Sequence, residues 1–240
     1  MIEHPLALVT GASNRLGRAF SLTLARRGHA ILLHYHQNEQ GAHDTAEAIR
    51  ALDVPVYIQQ ADLALPEQIE ELFKLVDTLP HPMKVLVNSA AVMDRAEARD
   101  LTLAEWDLTM NLNLRAPFLC AREAARRMLE GGLIVNISDV AARKNWHAFP
   151  AYSVSKAALE SLTRILARSF APGVRVNAIA PGLVLRSDIV TEEQWEQLTA
   201  RLPLQRPAGL GDVTRALDYL LDNEYITGES LLVDGGYSLI

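Results

Sequence analysis

Seven short, nearly unbroken apolar runs recur along this chain, each parted from the next by a stretch with helical patterning. They are Leu6–Val9, Ala30–Leu33, Val56–Gln59, Lys84–Val87, Leu133–Ile137, Val174–Ala178 and Ser230–Val233. A strand that is apolar at successive positions needs cover on both of its faces, which antiparallel hairpin sheets rarely supply. Strands that alternate with helices meet that need as a parallel sheet with helices packed on either side. The pattern therefore predicts an α/β, doubly wound parallel sheet of about seven strands. One segment breaks the rhythm, from Leu183 to about Pro207: it is long, amphipathic and carries Trp195. Such an excursion serves either as a lid or substrate loop or as a plain surface helical hairpin.

The bulk properties narrow the class. The chain has 240 residues and shows no linker, repeat or low-complexity tract, so one domain spanning 1–240 is expected. A formal net charge of −6 argues against charge-driven nucleic-acid binding. The lone cysteine, Cys120, excludes an internal disulfide and a cysteine-built zinc site. No run approaches the length of a membrane span and no secretory signal opens the chain, which makes the cytoplasm the default location and a membrane partner unexpected.

The first strand runs into Thr10-Gly11-Ala12-Ser13-Asn14-Arg15-Leu16-Gly17 and then into a helix reaching about Arg27. Strand, glycine turn and helix N-terminus together form a pyrophosphate site of the Rossmann type. Gly11 permits the tight turn and Gly17 the close helix packing. Arg15 stands where a middle glycine is common; a cation at a helix N-terminus opposes the dipole, so its guanidinium is expected to meet a cofactor phosphate or an anionic part of the substrate. The second strand ends in His34-Tyr35-His36-Gln37-Asn38, without the carboxylate that bonds the ribose 2′-hydroxyl in NAD-selective sites. That absence favours NADP over NAD, with His36, Gln37 and Asn38 as donors to the 2′-phosphate. His34 and His36 lack a third partner at metal-ligand spacing, and no metal is expected.

Tyr152 and Lys156 lie four residues apart at the start of another helical stretch, on one face. A phenol ordinarily ionises near pH 10. A lysine cation beside it favours the phenolate, and lowering the phenol by about three pH units takes roughly 4 kcal/mol of differential interaction. A tyrosine so tuned is a general acid/base for neutral pH.

The ordered set Thr10-Gly11-xxx-Arg15-x-Gly17, Asp62-Leu63, Asn88-Ser89-Ala90-Ala91, Asn113-Leu114, Asn136-Ile137-Ser138, Tyr152-xxx-Lys156, Pro181-Gly182 and Asp234-Gly235-Gly236 resembles the short-chain dehydrogenase/reductase family along the whole chain. The resemblance implies a nicotinamide cofactor and a small-molecule substrate. It makes Asp62 and Leu63 the adenine contact, Asn88, Ser89 and Ala90 the cofactor loop, and Pro181 and Gly182 the turn beside the nicotinamide. Asn113 becomes the residue holding a proton-relay water, Tyr152 the acid/base, and Lys156 the partner that bonds the ribose and lowers the tyrosine pKa. The resemblance implies that the helices around Arg122–Met128 and Tyr152 pack against a second subunit and that the C-terminal segment builds a homotetramer.

Thirteen residues before the tyrosine, where the family usually has serine, stands Asp139. With Arg15 it resembles the pteridine reductase branch, which includes the dihydromonapterin reductases. His34-Tyr35-His36 and the C-terminal Val233–Leu239 run share that likeness. Two departures are that Met93 occupies the place of the branch's pterin-stacking aromatic and that Gln37 replaces an expected basic residue. An ionised carboxylate only accepts hydrogen bonds, and its charge would hold back the Tyr152 phenolate. Asp139 therefore suits either a protonated donor in a desolvated pocket or an acceptor for the N–H groups of a nitrogen heterocycle. The alternative leaves Asp139 structural and gives Ser138 the hydroxyl role. The expected activity is NADPH-dependent hydride transfer to a C=N or C=O bond, best of a dihydropterin. The alternatives are a carbonyl reductase of the 3-oxoacyl or sugar type and a non-catalytic dinucleotide sensor.

Overall fold

A computed structural model describes residues 4–186 and 190–240 of the chain. Every expected strand forms: β1 Leu6–Val9, β2 Ala30–Tyr35, β3 Val56–Gln60, β4 Met83–Asn88, β5 Gly132–Ile137, β6 Val174–Pro181 and β7 Ser230–Val233. They make one seven-stranded sheet in the order β3-β2-β1-β4-β5-β6-β7, with each neighbouring pair parallel. The apolar runs fill both faces. On β1, Leu6 and Leu8 enter one core while Ala7 and Val9 enter the other, and all four are fully buried.

Nine helices complete the two layers among the described residues: α1 Arg15–Arg26, α2 Glu39–Arg50, α3 Pro66–Thr78, α4 Leu103–Met110, α5 Ala116–Arg127, α6 Ala141–Lys144, α7 Pro150–Phe170, α8 Glu192–Arg201 and α9 Leu210–Asp222. Residues of α1, α2 and α9 pack on one face of the sheet, and those of α3, α5 and α7 on the other. A π-helical turn, Asn111–Arg115, joins α4 to α5, and a 3₁₀ turn, Tyr237–Leu239, follows β7. No helix among the described residues is long and apolar enough to cross a membrane.

The chain order reverses between β1 and β4, so the loops leaving their C-terminal ends diverge and open a crevice. The expected excursion begins in that crevice. Of Leu183–Pro207, residues 192–201 form α8, capped by Thr191, whose hydroxyl accepts from the Gln194 N–H at 3.2 Å. Positions 187–189 lie outside the described residues.

Candidate active site

The crevice is a cavity of about 1020 Å³, above the upper end of the range for small-molecule sites, about 1,000 Å³. It runs from the α1 N-terminus and the tip of β2 to the base of α7, where Asp139 and Tyr152 stand.

At the α1 end the loop leaves no room for side chains. Gly11 has φ +63°, and a Cβ there would lie 2.9 Å from the Ala90 Cα. A Cβ on Gly17 would lie 2.1 Å from the Gly11 carbonyl oxygen. Asn14 occupies the N-cap position of α1 yet makes no side-chain cap bond, and the first turn holds no acidic residue. By contrast, α2, α4 and α8 are capped by Asn38, Thr102 and Thr191. The α1 N-terminus is thus left with free N–H groups and a positive dipole end facing the cavity, which fits a pyrophosphate. Ser13, Asn14, Arg15 and Leu16 line it.

The loop is locked from behind. The Gly11 N–H donates to His34 Nδ1 at 3.1 Å, and His34 Nε2 bonds the Ala61 carbonyl at 2.9 Å. Burial pushes His34 down to about 4. The ring is therefore neutral at pH 7, with both nitrogens spent on backbone. Thr10 Oγ1 accepts from the Ser89 and Ala90 N–H groups at 3.0 and 3.1 Å, tying the loop after β4 to the loop after β1.

His36, Gln37 and Asn38 are exposed at the rim, as donors to a phosphate must be. Asn38 is partly committed, because its Oδ1 accepts from the Gly41 N–H at 3.0 Å and caps α2. Asp62 lines the cavity with Leu63; its Oδ1 accepts from the Ala64 N–H at 2.9 Å. Asn88 does not act as the expected cofactor-loop contact. It is buried, and its amide donates to Asn136 Oδ1 at 2.9 Å, while Asn136 donates to Thr163 Oγ1 at 2.9 Å. This interior chain links β4, β5 and α7 behind the cavity. Ser89, Ala90, Pro181 and Gly182 do line it.

Arg15 was expected to reach an anion. It has φ +47°, and its guanidinium donates to the carbonyls of Leu185 and Arg186 at 3.0 and 3.4 Å. It thereby bridges the glycine loop to the first residues of the excursion, across the cavity mouth.

Asp139 follows β5 directly and Tyr152 sits in the first turn of α7, so the strand end and the helix start bring them together. The Tyr152 hydroxyl donates to Asp139 Oδ2 at 2.9 Å, and Asp139 Oδ1 accepts from the Ala141 N–H at 2.7 Å. Lys156 is buried and donates to the Ile137 carbonyl at 2.7 Å. Its Nζ lies 5.6 Å from the centre of the Tyr152 ring. The lowering expected from Lys156 is opposed here. Burial, and then the adjacent Asp139 charge, raise Tyr152 well above its usual range. Burial also raises Asp139, outweighing the lowering by the Ala141 N–H, Lys156 and Tyr152. The same desolvation pushes Lys156 down to about 8. A buried lysine helps a phenolate only if its attraction exceeds the cost of stripping water from both groups.

Ser138 takes no part in this. Its hydroxyl donates to Glu160 Oε1 at 3.3 Å. Asn113 is fully buried in the π-helical turn. Its amide brackets Val92, accepting from the Val92 N–H at 2.9 Å and donating to the Val92 carbonyl at 2.8 Å, and so it shapes the loop that carries Met93 to the cavity wall. Aromatic wall residues escaped the sequence reading. Trp146, Phe149 and Tyr237 all face the cavity. The available signals were a tryptophan six residues before the tyrosine and a tyrosine in the terminal glycine motif.

A strand-order crevice with a glycine-tightened phosphate loop at one end and a tyrosine–carboxyl pair at the other defines a nucleotide-binding oxidoreductase. Comparison with known proteins places it further. The family model described as enoyl-(acyl carrier protein) reductase matches residues 11–238. A 3-oxoacyl-(acyl-carrier-protein) reductase, FabG, of Staphylococcus aureus is 32% identical over 237 residues, 96% of each chain. A FolM alternative dihydrofolate reductase 1 from Brucella canis, solved with NADP, superposes with a TM-score of 0.93 at 33% identity, covering 100% of this chain and 96% of that one. A blue fluorescent protein from a metagenomic library, solved with NADPH, gives 0.91 at 32% identity over 98% of both chains. The chain belongs to the short-chain dehydrogenase/reductase family and is an NAD(P)-dependent oxidoreductase.

Proposed function

We propose that this protein is an NADPH-dependent reductase of a C=N bond in a flat nitrogen heterocycle, with a dihydropterin as the best substrate. The observation that carries the reading is the 2.9 Å bond from the Tyr152 hydroxyl to Asp139. It replaces the serine hydroxyl that would polarise a ketone by an acceptor suited to ring N–H groups. The likeness to the FolM reductase supports it. The NADP and NADPH bound by the two structural neighbours support the cofactor, as does the absence of a carboxylate just after β2.

The residues divide the work along the cavity. The α1 N-terminus and the Gly11–Gly17 loop would hold the pyrophosphate. His36, Gln37 and Asn38 would hold the 2′-phosphate, and Asp62 and Leu63 the adenine. Lys156 would hold the nicotinamide ribose, and Pro181 and Gly182 would flank the ring. When bound, the nicotinamide supplies the hydride. Tyr152 acts as a proton donor: its phenol is protonated at neutral pH, and its hydroxyl already donates to Asp139 at 2.9 Å. Asp139 retains a proton to higher pH than an ordinary aspartate and accepts or donates at the substrate nitrogen. This polarity favours reduction over oxidation. Met93 and the 183–207 segment would close the substrate side. Exposed Phe118 on α5 and Val154 and Ile165 on α7 are faces that the subunits of a homotetramer would cover.

The test follows NADPH oxidation with dihydrobiopterin, dihydromonapterin, dihydrofolate and a 3-oxoacyl thioester, in the wild type and in Asp139→Ser. Turnover of a dihydropterin, abolished in Asp139→Ser, is expected. Turnover of the oxoacyl substrate alone, kept or improved by Asp139→Ser, would establish the second reading, which the Staphylococcus aureus relative supports.

A further inference from the structure

The substrate end of the cavity is walled by aromatic rings drawn from two distant parts of the chain. Trp146 and Phe149, in the turn before α7, meet edge-on with centroids 6.0 Å apart at 62°. Tyr237, in the 3₁₀ turn after β7, stands 6.1 Å from Trp146 at 49°. All three are partly open, as rings lining a cavity must be.

A short turn near the end of a chain ordinarily frays. Two devices hold this one. Asp234 accepts from the Gly236 N–H at 2.9 Å and the Ser238 N–H at 2.7 Å, closing the turn on itself. Lys144 then fastens it to the catalytic region. Its ammonium lies 4.5 Å from the centre of the Tyr237 ring, donates to the Tyr237 carbonyl at 3.0 Å and also donates to the Ile240 carbonyl. Lys144 ends α6, which begins two residues after Asp139. One cation thus gathers the ring, its own backbone and the following residues, and sets them against the strand end that carries Asp139. The coupling is visible at the ring. Burial raises the Tyr237 phenol, Arg201 pulls it back, and Asp139 adds a smaller rise.

We propose that Lys144 is a positioning residue for substrate selection: its clasp holds Tyr237 as the third ring of an aromatic wall that favours flat conjugated rings over open-chain substrates. The inference rests on the reading of the site as a heterocycle reductase. A cation over a ring face costs little mobility and fixes its plane. Flat ligands draw on aromatic faces for about 0.5–1.5 kcal/mol each beyond area burial.

Steady-state kinetics test it with Lys144→Met, Lys144→Arg, Tyr237→Leu and Tyr237→Phe. Lys144→Met and Tyr237→Leu are expected to raise KM for a dihydropterin about tenfold, a binding loss with kcat little changed. Lys144→Arg and Tyr237→Phe should keep values near wild type, since the cation and the ring survive. KM for an open-chain keto substrate should not move. A fall in kcat without the KM change, or an equal loss for both substrate types, would overturn the proposal and leave the clasp merely structural. If the wild type turns over no dihydropterin, the heterocycle reading itself has failed. Calorimetric titration of pterin into the NADP-loaded protein then still decides the wall. Binding weakened about tenfold by Lys144→Met supports it; equal binding, or none to the wild type, rejects it.

Discussion

Replacing Lys156 by methionine should stabilise the protein at neutral pH while abolishing activity, and the two stability curves should cross as pH rises. The ammonium is ordinarily near 10.5 and is pushed down to about 8 by burial, with the attraction of Asp139 already included. At about 1.4 kcal/mol per pH unit, folding with a protonated Lys156 costs roughly 3 kcal/mol below pH 8. Methionine removes that cost and fills a similar volume. It also strands the Ile137 carbonyl that Lys156 now satisfies at 2.7 Å, at a cost of about 1–3 kcal/mol. The net gain at pH 7 is about 0–2 kcal/mol.

The sign of the pH dependence follows from which state holds the proton. Between about 8 and 10.5 the unfolded chain is still protonated at Lys156 while the native chain has released its proton. Stability of the wild type therefore rises with pH through that window. The methionine variant lacks this rise, so its advantage shrinks and then reverses by about pH 10.5. Urea unfolding followed by tryptophan fluorescence, at equal protein concentration and without cofactor, measures both curves. A stability difference that stays flat from pH 7 to 10.5 would refute the argument, because an ammonium bearing no desolvation cost has no proton to release early.

Two further outcomes are expected. His34, ordinarily near 6.5, is pushed down to about 4, so its contribution is full above 6.5 and is lost as pH falls through 4; cofactor affinity should fall in the same window, because a protonated ring no longer accepts from the Gly11 N–H. His34→Gln should flatten the acid limb of the unfolding curve, and an unchanged limb would show that other groups set it. Gly17→Ala would place its Cβ 2.1 Å from the Gly11 carbonyl, so NADPH titration should show binding lost or weakened at least tenfold, with about 1–3 kcal/mol of stability lost to overpacking.

The sheet was legible in the sequence because a strand covered on both faces must be apolar throughout. The boundaries of β1 and β7 fall where the apolar runs end. They fail where a buried polar residue continues the strand. β2 runs on through His34, whose two nitrogens find backbone partners. Within β6, Asn177 is satisfied in the same way, its side chain bonding the Ile226 carbonyl and the Glu229 N–H. Hydropathy cannot register such satisfaction. In the site, Asp139 and Tyr152 were legible as partners from their thirteen-residue spacing, which the fold spans with the short helix α6 between the end of β5 and the start of α7. Tyr237 was not, because Lys144, which seats it, lies 93 positions away.

Two opposing influences on Tyr152 are legible in the sequence, Lys156 lowering it and Asp139 raising it, but the burial that outweighs both is not. Spacing identifies a neighbouring charge but says nothing of how dry the site is. Here the same desolvation acts on all three groups, raising Asp139 and Tyr152 and lowering Lys156. An anion and a cation so treated approach each other, which narrows the pH range in which both are charged. Throughout that range the phenol remains the proton carrier, held there by the carboxylate it donates to. With serine at 139 the anion would vanish, and Lys156 would be the charge nearest the ring. The tyrosine would then lose the second of the influences that raise it, while burial would go on raising it. Aspartate at 139 thus adds to burial in keeping the Tyr152 phenol protonated.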